Sequence, residues 1–422
     1  MGGFEHMKIA IGKTVSDRIE NILLFSLAFF AISIFFTKTG ISVFGVISTL
    51  LLLIWRFLPG YKQAVFLPKP VLILSVLFIL DLFVSAYMSE NSRWAFSELR
   101  KYRHLLIGGL LFTAPLRNEY RKAIITVFFL SAAFDAGVGI LQYFDIFPKG
   151  YDRPHGYATH PILYAADLAF VCSAATLMFV IPNKIFTTVK ERLFLLIITL
   201  LTFAAIVLSQ SRGVWIALIP ACAITLFLHD RKKAFVVTSL LIVLFGLFFA
   251  TNSVLKQRAS SIVTSIYTEN ETGSTGNRLE LWKGSLIIFR ESPFGGTGYG
   301  DFEPDIKRLI REGEIKNLHS TVYAHNIFLQ MLATRGIIGF TILTTLFAAI
   351  LKWGWNEIRT SGSIGGSIII LSTLLTIIGG LTENNIEIHR FLAAYCFTLG
   401  VLGPLRSTSS EGVHSTYRVF IA

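Results

Sequence analysis

Residues 193–229 have the sequence LFLLIITLLTFAAIVLSQSRGVWIALIPACAITLFLH, in which two apolar runs are joined by the short polar turn SQSRG. Each run, 193–209 and 213–229, is close to the length of about 20 residues that an α-helix needs to cross the hydrocarbon core of a bilayer. Because so few polar residues separate the runs, they predict two neighbouring helices that pass through a membrane in opposite directions. The same pattern recurs along most of the chain.

The composition of the whole chain agrees with a membrane environment. Of the 422 residues, 53% are hydrophobic and only 15% are charged, whereas soluble domains have about 25% charged residues. The basic residues lie between the apolar runs rather than in one domain, so the net charge of +12 does not indicate nucleic-acid binding. Cys172, Cys222 and Cys396 all lie inside apolar runs, which favours small core residues over a disulfide framework or a metal site.

We therefore predict an all-α polytopic membrane protein with about twelve transmembrane helices. The predicted spans lie near 19–36, 41–58, 70–88, 104–116, 123–141, 161–181, 193–209, 213–229, 234–251, 327–351, 364–381 and 391–405. The chain then divides into residues 1–251 with the first nine transmembrane helices, residues 252–326 as one large loop, and residues 327–422 with the last three helices and a tail.

The distribution of Lys and Arg predicts the orientation of these spans. Cytoplasmic connections of membrane proteins are enriched in Lys and Arg, and here the cations concentrate in every other connection. They are Lys8, Lys13, Arg18, Arg56, Lys62, Lys69, Arg117, Arg121, Lys122, Lys184, Lys190, Arg192, Arg231, Lys232, Lys233, Lys352, Arg359, Arg406 and Arg418. We therefore expect a bacterial inner-membrane protein with both termini in the cytoplasm and the large loop in the periplasm.

One short outer segment breaks this rule. Residues 89–103 carry Arg93, Arg100, Lys101 and Arg103, although their connection is predicted to be periplasmic. Contact with phospholipid headgroups would explain these cations, and attraction of an anionic substrate to the outer face would explain them equally well.

The large loop contains two predicted amphipathic helices, at 277–290 and 303–315. The apolar face of the first consists of Leu279, Trp282, Leu286 and Phe289, and that of the second consists of Ile306, Leu309 and Ile310. Such helices are expected to lie on the membrane surface and to cover a cavity between the spans.

The glycine-rich stretch SPFGGTGYG, residues 292–300, lies between these two helices. It resembles a nucleotide-binding loop only superficially, because no strand precedes it and because nucleotides are absent outside the cytoplasmic membrane. We predict a glycine turn.

Three residues with suitable chemistry fall on the predicted outer side. Arg212 and Arg278 are suited to bind phosphate through a planar guanidinium, although contact with lipid phosphate, or for Arg278 a salt bridge to Glu280 or Glu291, would also explain them. His325 is suited to accept a proton near neutral pH, although a histidine at the start of a helix is more often structural.

Other polar residues on this side are secondary candidates. Asn326 is expected either to orient His325 or to cap the following helix. His319, His155 and His160 also lie in predicted outer segments, but few acidic ligands accompany them, so the pattern gives little support for a metal site.

Three stretches of the chain resemble a known family. The motif SRG at 211–213, NRLELWKGSLIIFRESPFGGTGYGDF at 277–302 and AHNIFLQMLATRGIIG at 324–339 are similar to the O-antigen ligase and O-antigen polymerase superfamily of bacterial membrane glycosyltransferases, most of all to the ligase. The resemblance extends over essentially the whole chain and implies a GT-C-like membrane fold with one large periplasmic loop.

The resemblance to the ligase implies a specific reaction. An O-antigen polysaccharide would pass from undecaprenyl diphosphate to lipid A–core on the periplasmic face, with inversion and without a metal, nucleotide or other cofactor. By match to the family's motifs, His325 would help to deprotonate the acceptor hydroxyl, and Arg212 and Arg278 would hold the donor diphosphate. Arg100, Arg103, Asn326 and His319 remain secondary candidates. The expected partners are donor, acceptor and membrane phospholipid, and no nucleic acid.

Three other functions fit the sequence less well. A polymerase would use the same lipid-linked donor and differ only in its acceptor. An oligosaccharyltransferase acting on protein commonly has acidic metal-binding residues in its first outer loop, which here is only TKTG at 37–40. A flippase or another transporter would need charged residues along a path through the membrane, and Asp81, Asp135 and Asp167 are few and widely spaced in the sequence.

Overall fold

The computed structural model describes residues 2–58, 61, 66–251, 274–318 and 320–405, and their regular structure consists of helices. The α-helices are α1 (Gly2–Phe36), α2 (Lys38–Arg56), α3 (Lys69–Met88), α4 (Ser92–Glu98), α5 (Arg103–Thr113), α6 (Asn118–Tyr143), α7 (Pro161–Val180), α8 (Val189–Leu208), α9 (Arg212–His229), α10 (Arg231–Thr251), α11 (Ser274–Glu291), α12 (Phe302–Arg311), α13 (Ile327–Ser361), α14 (Ile364–Gly380) and α15 (His389–Leu402). Short 3₁₀ helices occupy Leu99–Tyr102 and Asn385–Glu387.

Within the described residues, eight helices are long and apolar enough to cross a membrane. They are Asp17–Phe36, Lys38–Arg56, Lys69–Met88, Asn118–Tyr143, Pro161–Val180, Val189–Leu208, Arg212–His229 and Ile327–Ser361. Each coincides with a predicted span, which confirms the all-α polytopic membrane fold. Large apolar side chains such as Phe25, Ile73 and Leu193 are more than half exposed on these helices, as expected for surfaces that face lipid.

The other four predicted spans also coincide with helices, namely α5, α10, α14 and α15, but their passage across the membrane stays a prediction. α14 and α15 are apolar yet have only 17 and 14 residues. At 1.5 Å per residue, α15 extends over about 21 Å, less than the hydrocarbon core of about 30 Å. Most residues of both helices are buried, because α14 packs against α7, α9 and α13, and α15 packs against α5 and α7.

The long helix α13 is broken at Gly336, which has φ 60° and ψ −163°. The glycine turn at 292–300 lies against this break. Thr297 N–H donates to the carbonyl of Ala333 at 3.2 Å, and Ile337 N–H donates to the carbonyl of Pro293 at 2.8 Å. The turn thus pairs with backbone groups that the interrupted helix cannot pair internally, and it connects the large loop to the bundle.

α11 packs on the protein through a different face from the one that carries its predicted apolar stripe. Leu281, Ser285 and Ile288 are fully buried, whereas Leu279 and Leu286 of the predicted stripe are 47% and 43% exposed. Leu279 and Leu286 therefore do not pack on the protein, and their contact with a membrane surface stays a prediction. The physical reason for packing through the other face is the small residue Gly284, where an added Cβ would lie 2.6 Å from Cδ1 of Ile306, so the two helices approach closely on that side.

The second loop helix, α12, packs as its pattern predicts. Ile306 and Leu309 are fully buried, and Ile310 contacts the same small apolar core as a partly buried residue. Asp301 precedes the helix and fixes it to the end of α3, since Ser89 Oγ donates to Asp301 Oδ1 at 2.7 Å and the N–H of Glu90 donates to Oδ2 at 3.1 Å. We call the end of the bundle that carries α4, α11 and α12 the loop end.

Candidate active site

Two residues that the sequence analysis selected separately meet at one carboxylate at the loop end. Arg278 on α11 forms an ion pair through Nη2 with Oε1 of Glu383, which follows α14. His325, which precedes α13, lies with Nδ1 at 2.9 Å from Oε2 of the same Glu383. The carboxylate therefore joins a cation and an imidazole that are 47 positions apart in the sequence.

The backbone around His325 is held in an uncommon conformation. His325 has φ 50°, in the left-handed region that residues other than glycine seldom adopt. On one side, the indole N–H of Trp282 donates to the carbonyl of Ala324 at 3.0 Å. On the other side, the Asn326 side chain accepts from the N–H groups of Phe328 and Leu329 at 3.0 and 3.2 Å. Of the two roles expected for Asn326, it therefore has that of a helix cap.

The contact with Glu383 determines which nitrogen of His325 carries a proton in the neutral ring. A carboxylate only accepts hydrogen bonds, so the proton lies on Nδ1 and the lone pair lies on Nε2. The side chains of His325 and Glu383 are 28% and 16% exposed. This arrangement is suited to general-base chemistry, because the carboxylate orients the ring and stabilises the imidazolium that forms when Nε2 takes a proton.

Arg212 is the first residue of α9 and lies at the same end of the bundle. Its neighbour Gly213 is pressed against Thr382, since an added Cβ would lie 2.5 Å from Thr382 Oγ1. The start of α9 therefore abuts the residue that precedes Glu383. The amino terminus of a helix carries a partial positive charge, which adds to that of the guanidinium on this side of Glu383.

The connection between α6 and α7 contributes residues that the sequence analysis did not select as functional. Arg153, Glu383 and His325 lie close enough to His160 to act on it electrostatically. Burial, and next the charge of Arg153, lower the pKa of His160. Its Nδ1 accepts from the N–H of Ile162 at 3.3 Å and so caps α7. The connection contains four cationic or imidazole side chains, but no spacing within it indicates a site.

His155 has a structural role in that connection. Its Nε2 accepts from the N–H of Gly150 at 3.0 Å, and its Nδ1 lies 2.9 Å from the carbonyl of Ala158. Across the described part of the chain, no group of three or more His, Cys, Asp or Glu side chains is arranged to hold a metal ion. The secondary candidate His319 lies outside the described residues.

The remaining candidates, Arg100 and Arg103, have partners other than Glu383. Arg100 Nε donates to the carbonyl of Ser97 at 2.8 Å. Arg103 Nη2 lies 3.3 Å from Nε2 of His389, at the start of α15. Arg278 pairs with neither Glu280 nor Glu291, the two partners that its sequence neighbourhood suggested, because its helix directs it across the bundle towards Glu383.

A narrow groove with mainly apolar walls has Glu383 among its lining residues, and its free volume is about 30 Å³. Its walls come from α7, α9, α14 and α15, and small residues on the first three of these helices keep it open. The lining residues include Ala166, Ala169, Gly213, Ala217, Gly379 and Glu383.

The acidic residues within the bundle are paired rather than scattered. Asp135 on α6 and Asp167 on α7 both form ion pairs with Arg390 on α15, and all three side chains are buried. Asp135 also accepts from the N–H of Tyr157 at 2.7 Å, so this cluster fixes the connection that carries Arg153 and His160. Asp81 pairs separately with the buried Arg335 at 3.0 Å. Pairing of this kind is expected where water cannot solvate charges.

The fold and the cluster at the loop end together define a multi-pass all-α membrane protein with a histidine–carboxylate–arginine site. Residues 197–344 match the Wzy_C family, described as O-antigen ligase. This stretch includes Arg212, Arg278 and His325.

Two relatives extend the similarity to more of the chain. An uncharacterized protein of Haemophilus influenzae is 28% identical over 299 residues, which are 66% of this chain and 73% of the relative. The O-antigen ligase of Salmonella typhimurium is 21% identical over 305 residues, which are 70% of this chain and 72% of the relative. These comparisons show that the chain is similar to the O-antigen ligase superfamily, most directly over residues 197–344.

Proposed function

We propose that this protein is an O-antigen ligase of the inner membrane that works at its loop end, on the periplasmic face. It would transfer O-antigen polysaccharide from undecaprenyl diphosphate to lipid A–core, with inversion and without a metal or nucleotide. The observation that carries the proposal is the convergence of Arg278 and His325 on Glu383, with the start of α9 beside it. The family match and the Salmonella relative support the same chemistry.

In this proposal His325 acts as the general base. Nε2 would take the proton of the acceptor hydroxyl as its oxygen attacks the anomeric carbon of the donor sugar, and the bond to the diphosphate oxygen would break. Glu383 would hold the ring through Nδ1 and balance the charge of the imidazolium. A positioned general base contributes roughly 10²–10⁴-fold to such a reaction.

Arg212 and Arg278 would bind the donor diphosphate, which leaves as an anion. A guanidinium has five N–H donors in a planar fork, and the ion pair of Arg278 with Glu383 engages Nη2. Fixed cations stabilise negative charge that develops on the leaving group and need little reorganisation during the reaction. The groove beside Glu383 has a free volume of only about 30 Å³, so its walls would have to move apart to take the first part of the polyprenyl chain.

The proposal is tested by deleting the gene in its host and examining the lipopolysaccharide on a gel, with complementation by wild type and by His325→Ala. We expect core lipid without O-antigen in the deletion strain, with polysaccharide accumulating on undecaprenyl diphosphate. Complementation by wild type should restore the ladder, and His325→Ala at equal protein level should not. Full restoration by His325→Ala would refute the role of the base.

The same gel distinguishes the alternative functions. Core lipid that carries a single repeat unit in the deletion strain would identify a polymerase instead. Transfer by purified protein in detergent, where no second compartment exists, would exclude a protein that only transports the lipid-linked sugar. An unchanged ladder in the deletion strain would contradict both transferase functions.

A further inference from the structure

Two histidines and an arginine meet at a second place at the loop end, where α5 and α15 begin. Nη2 of Arg103 lies 3.3 Å from Nε2 of His389, and Nε2 of His104 lies 3.1 Å from the same nitrogen. His104 is fully buried, and the two imidazole rings are in edge-to-face contact with their centroids 4.7 Å apart. The proposed transfer does not use any of these three residues.

The hydrogen bonds of this group do not balance. A neutral imidazole has one N–H and one lone pair, so Nε2 of His389 cannot accept from both Arg103 and His104. Within the described residues, Arg103 Nε, His104 Nδ1 and His389 Nδ1 are buried without a hydrogen-bond partner. For every neutral tautomer the N–H donors outnumber the lone pairs, and protonation of either ring would increase the excess. Buried donors of this kind are normally paired with an acceptor.

The surroundings of the group are positively charged. Lys38, the first residue of α2, and Lys101 both act electrostatically on His389, and Arg100 acts on Arg103. Glu98 supplies negative charge at the same ring, but its carboxylate is already paired with the ammonium of Lys101 at 3.3 Å. The missing acceptor therefore has the properties of an anion.

Exposed aromatic residues in the segment 89–103 and just before it indicate the level of the lipid headgroups. Trp94 and Phe96 on α4 are 46% and 39% exposed, and Tyr87 at the end of α3 is 78% exposed. Trp and Tyr are enriched at the boundary between membrane and water. A phosphate group carried by a lipid lies at this level, whereas a free ion would have no reason to prefer it.

We propose that Arg103, His104 and His389, which we call the α5–α15 cluster, bind the phosphate group of a lipid-anchored molecule. Lys38 and Arg100 attract that phosphate, and the guanidinium and imidazole N–H groups donate to its oxygens. The cluster gives a role to Arg100 and Arg103, two of the four cations of the short segment 89–103 on the predicted outer side.

In its stronger form, which depends on the proposed ligase function, this phosphate belongs to the acceptor lipid. Glu383 lies in the connection that follows α14, and His389, six residues later, begins α15, so their Cα atoms are separated by at most about 22 Å. A lipid held at the cluster by its phosphate is then anchored beside the proposed base. The other source of the same chemistry is the headgroup of a bilayer phospholipid.

The test compares Arg103→Gln with Arg93→Gln, which removes the same charge from an exposed position of the same segment. The first measurement is native mass spectrometry of purified protein with phosphatidylglycerol or phosphatidylcholine, which requires no turnover. We expect wild type and Arg93→Gln to retain one more phosphatidylglycerol than Arg103→Gln does. Arg103→Lys, which keeps the charge but not the planar fork, should restore part of this binding.

The second measurement is the transfer reaction with lipid A–core before and after enzymatic removal of its phosphates. For Arg103→Gln we expect KM for the acceptor to rise about tenfold with little change in kcat, as for the loss of one charge-assisted hydrogen bond. If Arg103→Gln no longer raises KM when the acceptor is dephosphorylated, the acceptor supplies the phosphate. If Arg103→Gln raises KM for both acceptors and also loses bound phosphatidylglycerol, a phospholipid supplies the phosphate.

The outcomes separate this inference from the proposed function. Unchanged lipid binding and unchanged KM in a folded Arg103→Gln protein would overturn the phosphate site and leave ordinary water as the partner of the buried N–H groups. Loss of phosphatidylglycerol binding together with an inactive wild-type protein would preserve the site and refute the ligase.

Discussion

Glu383 links the proposed base to one of the proposed phosphate ligands, so its charge acts in two directions. Towards His325 it fixes the protonated nitrogen, and towards Arg278 it forms an ion pair that donor binding must accommodate. Arg278 and His325 were selected from the sequence by family resemblance and side-chain chemistry. Glu383 was not, because it stands in the stretch TENN after an apolar run, where no spacing relates it to a histidine 58 positions earlier.

We predict that Glu383→Gln lowers kcat by about 100-fold or more. Glutamine keeps the shape and can still accept a hydrogen bond from Nδ1, but it cannot balance the charge of the imidazolium that forms during proton transfer. The measurement is steady-state transfer by purified protein. Glu314→Gln, an exposed carboxylate at the same end of the bundle, is the control and should stay within about twofold of wild type. Equal rates for Glu383→Gln and wild type would contradict the role of Glu383.

Replacement of Arg278 by lysine tests whether the planar fork is needed. Lysine retains the positive charge but presents it as a compact ammonium, which cannot bind two phosphate oxygens in the same geometry. We expect Arg278→Lys to lower kcat/KM by about tenfold, and Arg278→Gln to lower it further because the charge is also lost. If the lysine variant is as active as wild type, charge alone is sufficient at this position.

At the scale of single elements, the helix positions followed from apolar run length, but the break in α13 did not. The predicted span 327–351 was long for a single crossing, which was the only sign in the sequence that the helix is interrupted. Gly336 adopts a backbone conformation that side chains rarely tolerate, and an added Cβ would lie 2.2 Å from the carbonyl oxygen of Phe294. α11 packs on α12 through the side that carries Gly284, and the contact of its predicted apolar stripe with the membrane surface stays a prediction.

We predict that Gly336→Ala destabilises the protein by more than about 2 kcal/mol, because it adds backbone strain and a steric clash with the turn at 292–300. Its thermal unfolding in detergent should begin at a lower temperature than that of wild type. Gly137→Ala on α6, where an added Cβ meets no atom within 4 Å, is the matched control and should be neutral or slightly stabilising. A Gly336→Ala protein as stable as wild type would show that the break does not depend on glycine.

At the scale of the whole molecule, alternating apolar and basic segments predicted the membrane fold. The bilayer constrains both the length of each apolar run and the side on which basic connections lie. The pairing of buried charges could not be predicted in this way. Asp135 and Arg390 are 255 positions apart, and only the packing of α6, α7 and α15 brings them together with Asp167. The short lengths of α14 and α15 are likewise explained by their burial among other helices, which their sequences alone do not indicate.

The predicted orientation can be tested with two variants that each replace one exposed lysine by cysteine. Lys307 lies on α12 at the loop end, and Lys190 lies in the first turn of α8, at the opposite end of that helix from the start of α9. The native Cys172, Cys222 and Cys396 are buried, so they should react little with an added reagent.

In intact cells with a permeable outer membrane, a maleimide that cannot cross the inner membrane should label Lys307→Cys and not Lys190→Cys. After the inner membrane is disrupted, both should be labelled. The opposite pattern would place the loop end in the cytoplasm, where a donor on the periplasmic face could not reach His325, and the proposed ligase function would then be excluded by topology alone.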